Sequence, residues 1–556
     1  MKNNHNVDPA EEVGSTINDK HAIERYFSRR LQVAMVGEGV LVGLAGGIVI
    51  TLYRLALSRS ESLLRGFLSS AGPTPARLGL LFAGLLCAAV IVARLMQFEP
   101  DTRGSGIPQV DAEVMGRLDM RWPRVLVIKF VEGVLCTLSG LSLGREGPSV
   151  LLGAMAGKGV SRTLNKEQGE EHVLVTCGAA AGMSAAFHAP LTGVLFALEE
   201  IHREFNAPLV ISVMASAAMA DFVTSHVLGV SPVLHFAVVG DLPHADYAFV
   251  LLMGVICGVL GALHNVGMHS LQSGPFAWIR QRWGDAVLLV AFLGSGIVAL
   301  VAPELLCGGD AILQHLEQGT GLSFALVLSL LVGKYLFTSI CFGTGAPGGT
   351  LLPLVIMGAL IGTLCGFVAV GVTDVPLTYF NNFIVLGVAG MFAGSVRAPV
   401  TAVVLCFELT GTMDTLLAAT AVSLIAYVTA NMLKVEPFYE TLLSSLLAKL
   451  PEPEGYQSTE VVGSKVLHTH VVGVGSLVEG KAVSEVPWPH NTLLVTIDRA
   501  GQRIVPSGPT QLQALDHVLF IMDADLESDT ELLLQGLFGG LSDESSMGTR
   551  QGTEQV

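Results

Sequence analysis

Glu146 stands in the stretch Gly144-Arg145-Glu146-Gly147-Pro148-Ser149-Val150, with VLCTLSGLSL before it and LLGAMAG after it. An ionisable group in so apolar a setting is costly to keep and reads as functional. Read alone, it could equally be a helix-capping acid. Three other short stretches have matching chemistry. Gly104-Ser105-Gly106-Ile107-Pro108 offers a hydroxyl, Pro437-Phe438-Tyr439 offers a phenol, and Gly348 to Pro353 reads GGTLLP. The glycine-rich stretches each continue into a proline near a first helical turn and then an apolar helix, the form of a helix N-terminus. Such an end has several free N–H groups and about half a positive charge. It binds an anion without a full cation. Several converging ends would hold an anion by partial charges and still let it go, as transport requires. A second acid, Glu200 in LFALEE, lies in a polar cluster with Glu199, His202, Arg203 and Glu204. It reads either as a functional acid or as an interfacial acid at a helix end.

The elements that must position these groups are membrane helices. The 556 residues are 51% hydrophobic and only 14% charged, and the mean hydropathy is positive. Apolar windows long enough to span a bilayer recur from about Val33 to Lys434, among them Gly37–Leu57, Leu78–Ala93, Tyr247–Val266, Ala286–Val301 and Ser323–Leu336. Met1 to Arg30 is polar and of mixed charge, so no cleavable signal peptide is expected there. The basic cluster HAIERYFSRR before the first apolar segment predicts a cytoplasmic N-terminus, and an even number of spans puts the tail on the same side. The eight cysteines all fall in the apolar region and none forms a CxxC pair. They read as core thiols, with no metal site or cofactor expected. No basic stripe with aromatics points to nucleic acid.

The apolar segments are broken by GSGIPQV, GREGPSV, HAPLTG, GTGAPGGTLLP and RAPVTA. An unpaired backbone group in hydrocarbon costs several kcal/mol, so breaks survive only where they are buried or line a polar cavity. The breaks also recur. GAAAGMSAAFHAPLTGVLFALEE from Gly178 matches GVAGMFAGSVRAPVTAVVLCFEL from Gly387, which pairs Pro190 with Pro399 and Glu199 with Glu408 at an offset of 209. GPSVLLGAMAG from Gly147 matches LPLVIMGALIG from Leu352, which pairs Pro148 with Pro353, Gly153 with Gly358 and Gly157 with Gly362 at an offset of 205. Two repeats with broken helices in corresponding places predict a binding site between the halves, near mid-membrane. Glu199, with its repeat mate Glu408, reads as structural.

These stretches, in this order, resemble the signature set of the CLC chloride channel and transporter family, and the resemblance covers about Arg30 to Ser445. It implies an all-α polytopic membrane domain of two inverted-topology repeats, about eighteen mostly tilted helices, and a homodimer with one pathway per subunit. Carried over by position, Ser105 and Tyr439 would offer hydroxyls to a central chloride, and the N–H groups of Thr350 and Leu351 would complete the site. Glu146 would be the outer gate, imitating the permeant anion until protonation releases it. Glu200 falls where exchangers of the family keep an internal proton-transfer glutamate. The selectivity stretches would comprise Gly104, Gly106, Ile107 and Pro108; Gly144, Arg145, Gly147 and Pro148; and Gly349, Leu352 and Pro353. Ser105 in place of proline implies chloride over nitrate, and GREGPSV with Tyr439 argues against the fluoride-exporting branch. The third stretch departs from the usual Gly-x-Phe-x-Pro, since Leu351 stands where phenylalanine is common. His188 stands where asparagine is common. His188 and Glu132 read as satisfied buried polar groups, and Arg145 and Lys129 as structural or field-setting cations.

After LLAKLPEPEG the composition changes. From Val435 to Val556 there are seventeen Asp and Glu against six Lys and Arg, the signature of a solvated domain. THVVGVGS, NTLLVTIDRAGQRIVPS and DHVLFIMD alternate as strands, with a turn at Arg499 to Gln502. Residues 463–525 resemble the TrkA-C domain of bacterial potassium-uptake regulators, which implies a small cytoplasmic α+β domain that could bind a nucleotide or another small ligand. The chain therefore divides into a cytoplasmic segment 1–30, a transmembrane domain 31–445, a linker 446–462, the domain 463–525, and an acidic tail 526–556 expected to be disordered from about Ser542. The expected activity is exchange of chloride for protons, with no enzymatic step. A passive channel on the same scaffold and a membrane-anchored ligand sensor are the alternatives. A pH gradient separates exchanger from channel, and absence of anion flux would favour the sensor.

Overall fold

The computed structural model describes the backbone of residues 9–69 and the side chains from 33. It then describes 74–450, apart from 204, 206, 320, 373–374 and much of 230–245, and most of 465–523 with a few residues between 533 and 538. The linker KLPEPEGYQSTE beyond Leu450, most of the acidic tail, and the centre of the Arg499–Gln502 turn lie outside the described residues. The chain forms two compact units, Met1–Pro451 and Glu452–Val556.

The first unit is helical. One half runs α1 (Pro9–Ser69), α2 (Pro75–Phe98), α3 (Ile107–Val114), α4 (Trp122–Leu138), α5 (Glu146–Thr163), α6 (Gln168–Phe187), α7 (Pro190–Phe196) and α8 (Ala207–Leu228). The other runs α9 (Tyr247–Ser273), α10 (Pro275–Trp283), α11 (Leu288–Val301), α12 (Asp310–Gln318), α13 (Phe324–Gly343), α14 (Leu351–Val372), α15 (Phe380–Val396), α16 (Pro399–Thr410) and α17 (Leu416–Met432), and α18 (Phe438–Leu447) closes the unit. Seven stretches among the described residues are long and apolar enough to cross a membrane, including Val33–Ser69, Pro75–Phe98 and Leu351–Val372. Helices α3, α7 and α12 are far shorter. At about 1.5 Å per residue they end inside a bilayer.

Lipid is as apolar as leucine, so helices here associate by close packing of small residues. In α5 a Cβ added at Gly153 would overlap the Gly178 carbonyl of α6, and one at Gly157 would overlap that of Leu174. The mates repeat the contact: Gly362 of α14 is pressed against the Phe383 carbonyl of α15, and a Cβ at Gly358 would stand 2.7 Å from the Gly387 oxygen. A second pair of mates locks the halves to each other. Glu408 accepts from the N–H groups of Leu191 and Thr192 and from the Thr192 hydroxyl, at 2.8, 2.7 and 2.6 Å. Glu199 accepts from the N–H groups of Val400 and Thr401 and from the Thr401 hydroxyl, at 3.4, 2.9 and 2.7 Å. Each acid thus caps the free N-terminal donors of the other half's proline-led helix. This reciprocity requires α7 and α16 to run antiparallel, which is the inverted topology.

The second unit holds an antiparallel sheet of β1 (Lys465–Val471), β2 (Leu493–Arg499), β3 (Gln502–Ile504) and β4 (His517–Asp523) in the order β1-β4-β2-β3. Arg499 pairs with Gln502 across the β2–β3 hairpin. Ile497, Val518, Phe520 and Met522 form a core of their own with Val472, Val478 and Phe538. At its edge Asp516, fully buried, accepts from Arg499 Nε and Nη2 at 2.8 and 2.7 Å and from the Gln513 N–H at 2.8 Å. Burial works against the Asp516 charge, but the Arg499 fork and the Gln513 N–H hold its carboxyl below the ordinary carboxylate range. A depressed native value means that this contribution is present above the unfolded value, about 3.9, and is lost as pH falls through the native one. Asp516→Ala is expected to cost on the order of 2 kcal/mol. Hydrogen exchange of the β4 amides in the full chain should then accelerate about thirtyfold. A change below threefold would remove the pair from the unit's stability.

Candidate functional site

The glycine-rich turns predicted as helix starts meet at one place. Gly144 and Gly349, mates at the 205 offset, exchange two backbone hydrogen bonds: the Gly144 N–H donates to the Gly349 carbonyl at 2.6 Å, and the reverse bond is 2.9 Å. The third turn is tied to the same knot, with the Gly348 N–H donating to the Gly104 carbonyl at 2.9 Å and the Gly104 N–H to Gly345 at 3.4 Å. Fully buried Lys129 donates to the carbonyls of Thr102 and Gly104, at 2.7 and 2.6 Å. The lysine therefore braces the turn that presents Ser105. Gly106, at φ +100°, lets that turn enter α3 directly.

Glu146 opens α5 and is fully buried. Its Oε2 accepts from the Leu352 N–H at 3.2 Å. Its Oε1 has no hydrogen-bond partner, and the nearest cation, Arg145 Nε, stands off at 3.8 Å. The carboxylate is thus held chiefly by the opposed N-termini of α5 and α14. Pro353 has no N–H, so α14 offers only the donors of Thr350, Leu351 and Leu352 there. Leu352 spends its donor on Glu146, and those of Thr350 and Leu351 reach no acceptor among the described residues. The Ser105 hydroxyl oxygen accepts from the Ile107 N–H at 3.3 Å, which leaves its proton to donate elsewhere. Tyr439, also fully buried, lies beside Thr350 with its hydroxyl in no good hydrogen-bond geometry. Phe196 holds the ring edge-on at 6.2 Å.

Glu200, an electrostatic neighbour of Tyr439, sits in an unforeseen geometry. Residues Ala197–His202 form a π-helical turn at the end of α7, a feature that clusters at functional sites. Arg203 ends the turn at φ +57° and donates to the Glu200 carbonyl at 3.1 Å, while His202 is taken by the Thr176 hydroxyl at 3.0 Å. The Glu200 carboxylate is buried with Oε1 unpartnered. Asp111, which sequence reasoning passed over, is buried on α3 with both oxygens unpartnered. Glu146, Glu200 and Asp111 are all electrostatic neighbours of the Tyr439 hydroxyl. Buried polar atoms without partners are rare, and here Glu146, Glu200 and Asp111 each carry at least one around Tyr439, whose own hydroxyl is another. The only available signal for Asp111 was an acid one turn into the helix that Ser105 precedes.

His188 and Glu132 have partners of their own. His188 Nδ1 lies 3.2 Å from Asp221 and 3.3 Å from the Ser225 hydroxyl. Glu132 accepts from Thr102 at 3.1 Å through one oxygen, and its other oxygen is unpartnered, so it is only half satisfied. All eight cysteines are free thiols.

The family described as voltage gated chloride channel matches residues 83–431. The chain belongs to that family. It is accordingly an integral, multi-pass membrane protein, and a TrkA-C domain matches residues 467–534. It is 31% identical over 437 residues to the H(+)/Cl(-) exchange transporter ClcA of Vibrio cholerae, covering 77% of this chain and 93% of that one. It is 32% identical over 439 residues to the ClcA of Vibrio vulnificus, covering 76% and 92%. The crystal structure of a slow cyanobacterial Cl-/H+ antiporter superimposes with a TM-score of 0.70 at 27% identity, over 75% of this chain and 98% of that one.

In this voltage gated chloride channel family member, Gly144 leaves no room for a side chain, because an added Cβ would overlap Glu146 Oε2. Gly144→Ala must therefore expel the carboxylate from its place between the helix ends. The expected outcome is a structure with Glu146 turned away and chloride bound where Oε2 was, with calorimetric chloride affinity raised about threefold or more. An unmoved Glu146 with unchanged affinity would contradict this.

Proposed function

We propose that the chain is a proton-coupled chloride antiporter. The observation that carries this reading is the pair of buried carboxylates, Glu146 and Glu200, each with an unpartnered oxygen and each an electrostatic neighbour of Tyr439. A channel for chloride alone has no use for a second buried acid, and keeping one is costly. Ser105, Tyr439 and the N–H groups of Thr350 and Leu351 bind the central chloride through neutral donors, each hydrogen bond worth on the order of 1 kcal/mol net. Binding stays weak enough for release. Glu146 competes for the outer position as a carboxylate and vacates it on taking a proton. Glu200 passes that proton to the opposite side. Chloride is a substrate ion, and no cofactor takes part.

The relatives named as H(+)/Cl(-) exchange transporters support the same exchange for this chain. The family resemblance supports a homodimer with one pathway per subunit. The basic cluster before α1 supports an inner-membrane orientation with both termini and the Glu200 side cytoplasmic. The TrkA-C domain is proposed to regulate exchange by binding a small ligand.

Two substitutions test the reading in reconstituted vesicles. Glu146→Gln mimics the protonated gate and should pass chloride while moving no protons. Glu200→Gln should keep chloride movement and cut proton movement at least about tenfold. Uphill chloride uptake driven by pH in Glu146→Gln would show that Glu146 is not the coupling acid. Both fluxes surviving at the wild-type ratio in Glu200→Gln would route the proton elsewhere.

A further inference from the structure

The internal repeat reaches further than its obvious blocks. The offset of 205 that carries Pro148 onto Pro353 also carries Lys129 onto Lys334, and an offset of 203 carries the turn Gly104-Ser105-Gly106-Ile107 onto Cys307-Gly308-Gly309-Asp310. The two lysines have matching roles. Lys334 is fully buried like Lys129, and it donates to the carbonyls of Leu305 and Cys307 at 3.2 and 2.8 Å. Each braces the turn ahead of a short helix, and each turn passes through a positive-φ glycine, Gly106 at +100° and Gly309 at +114°. Asp310 thus opens its short helix directly after the left-handed glycine, as Ile107 does in the other half.

Asp310 lines a polar cavity of about 380 Å³ together with Glu61, Arg65, Arg145 and Leu352. Leu352 is the residue whose N–H holds Glu146, so the cavity ends at the wall of the gate. Of the other charges near it, Arg65 and Lys334 are committed. Arg65 is paired with Glu61 at 2.7 Å, Arg145 leans toward Glu146, and Lys334 is spent on carbonyls. The Asp310 carboxylate has no hydrogen bond or ion pair among the described residues, and it is half-buried. It is an electrostatic neighbour of Glu146, whose Oε1 is unpartnered. A free carboxylate at the mouth of an anion path hinders anions, so its presence there needs a use.

Resting on the exchange reading above, we propose that Asp310 is the outer proton relay, carrying protons between the solution on the Arg145 side and Glu146. A proton from a hydronium ion in the cavity protonates the Asp310 carboxylate and leaves water. It then passes through cavity water to Glu146 Oε1, and Asp310 returns to its ionised form. The reverse direction uses the same two acids. Asp310 is a relay residue and does not touch the central anion.

The test is coupled flux from proteoliposomes of the full chain. Asp310→Asn is expected to slow proton and chloride exchange together, about tenfold or more, with their ratio kept. Asp310→Glu, which retains the acid, should recover most of the rate. Glu146→Gln with Asp310→Asn shows whether the anion path is intact when no proton is needed, and chloride flux through it assigns the slowing to proton delivery. Asp310→Asn exchanging at the wild-type rate would overturn the relay. So would faster chloride flux in the double variant than in Glu146→Gln alone, because the carboxylate would then be a barrier to anions. If the wild type shows no pH-driven chloride uptake, the exchange reading itself fails. If it does and Asp310→Asn matches it, only the relay fails.

Discussion

The two backbone hydrogen bonds between Gly144 and Gly349 are the contact on which the rest of this structure depends. A helix that stops inside hydrocarbon exposes donors that nothing in lipid can satisfy. Here the broken ends face each other across an internal twofold, so each half closes part of the other's gap. What remains open is a small set of N–H groups aimed at one point. The close glycine packing of α5 on α6 and of α14 on α15 brings the ends that near, and the Glu199 and Glu408 caps hold the halves antiparallel. Without that knot there would be no site for Glu146 to occupy.

The electrostatic design follows from the same knot. Two fully buried cations, Lys129 and Lys334, are turned toward backbone carbonyls and shape the turns. Arg145 stays 3.8 Å from Glu146. The path itself is left to partial charges and hydroxyls, which suit an ion that must leave again. The acids along it, Glu146, Glu200 and Asp111, are under-partnered, a state that a carboxyl group tolerates best when it can gain and lose a proton.

Much of this was legible in the sequence because hydrocarbon punishes irregular backbone. Glycine and proline in the middle of apolar segments could only mark helix ends, and their recurrence at offsets of 205 and 209 foretold where the halves would meet. The β2–β3 hairpin was legible from strand alternation around a glycine turn. Other features were not, for physical reasons. The π turn at Glu200 depends on how Arg203 closes the helix, which no local pattern encodes. Asp111 looked like an ordinary helix acid until its surroundings showed no donor. The correspondence of the CGGD turn with GSGI was hidden because it has lost the proline that GSGIP keeps. The sheet order β1-β4-β2-β3 rests on pairing between strands far apart in the chain.

The central claim is that one pathway moves chloride and protons in opposite directions under mutual control. The most direct measurement is the reversal potential of the purified full-length chain in liposomes, taken with chloride held fixed and a pH gradient imposed. The account predicts that the potential moves away from the chloride equilibrium value, in the direction and to the extent that a fixed exchange ratio sets. A potential that stays at the chloride equilibrium value whatever the pH gradient would contradict it and make the protein a channel.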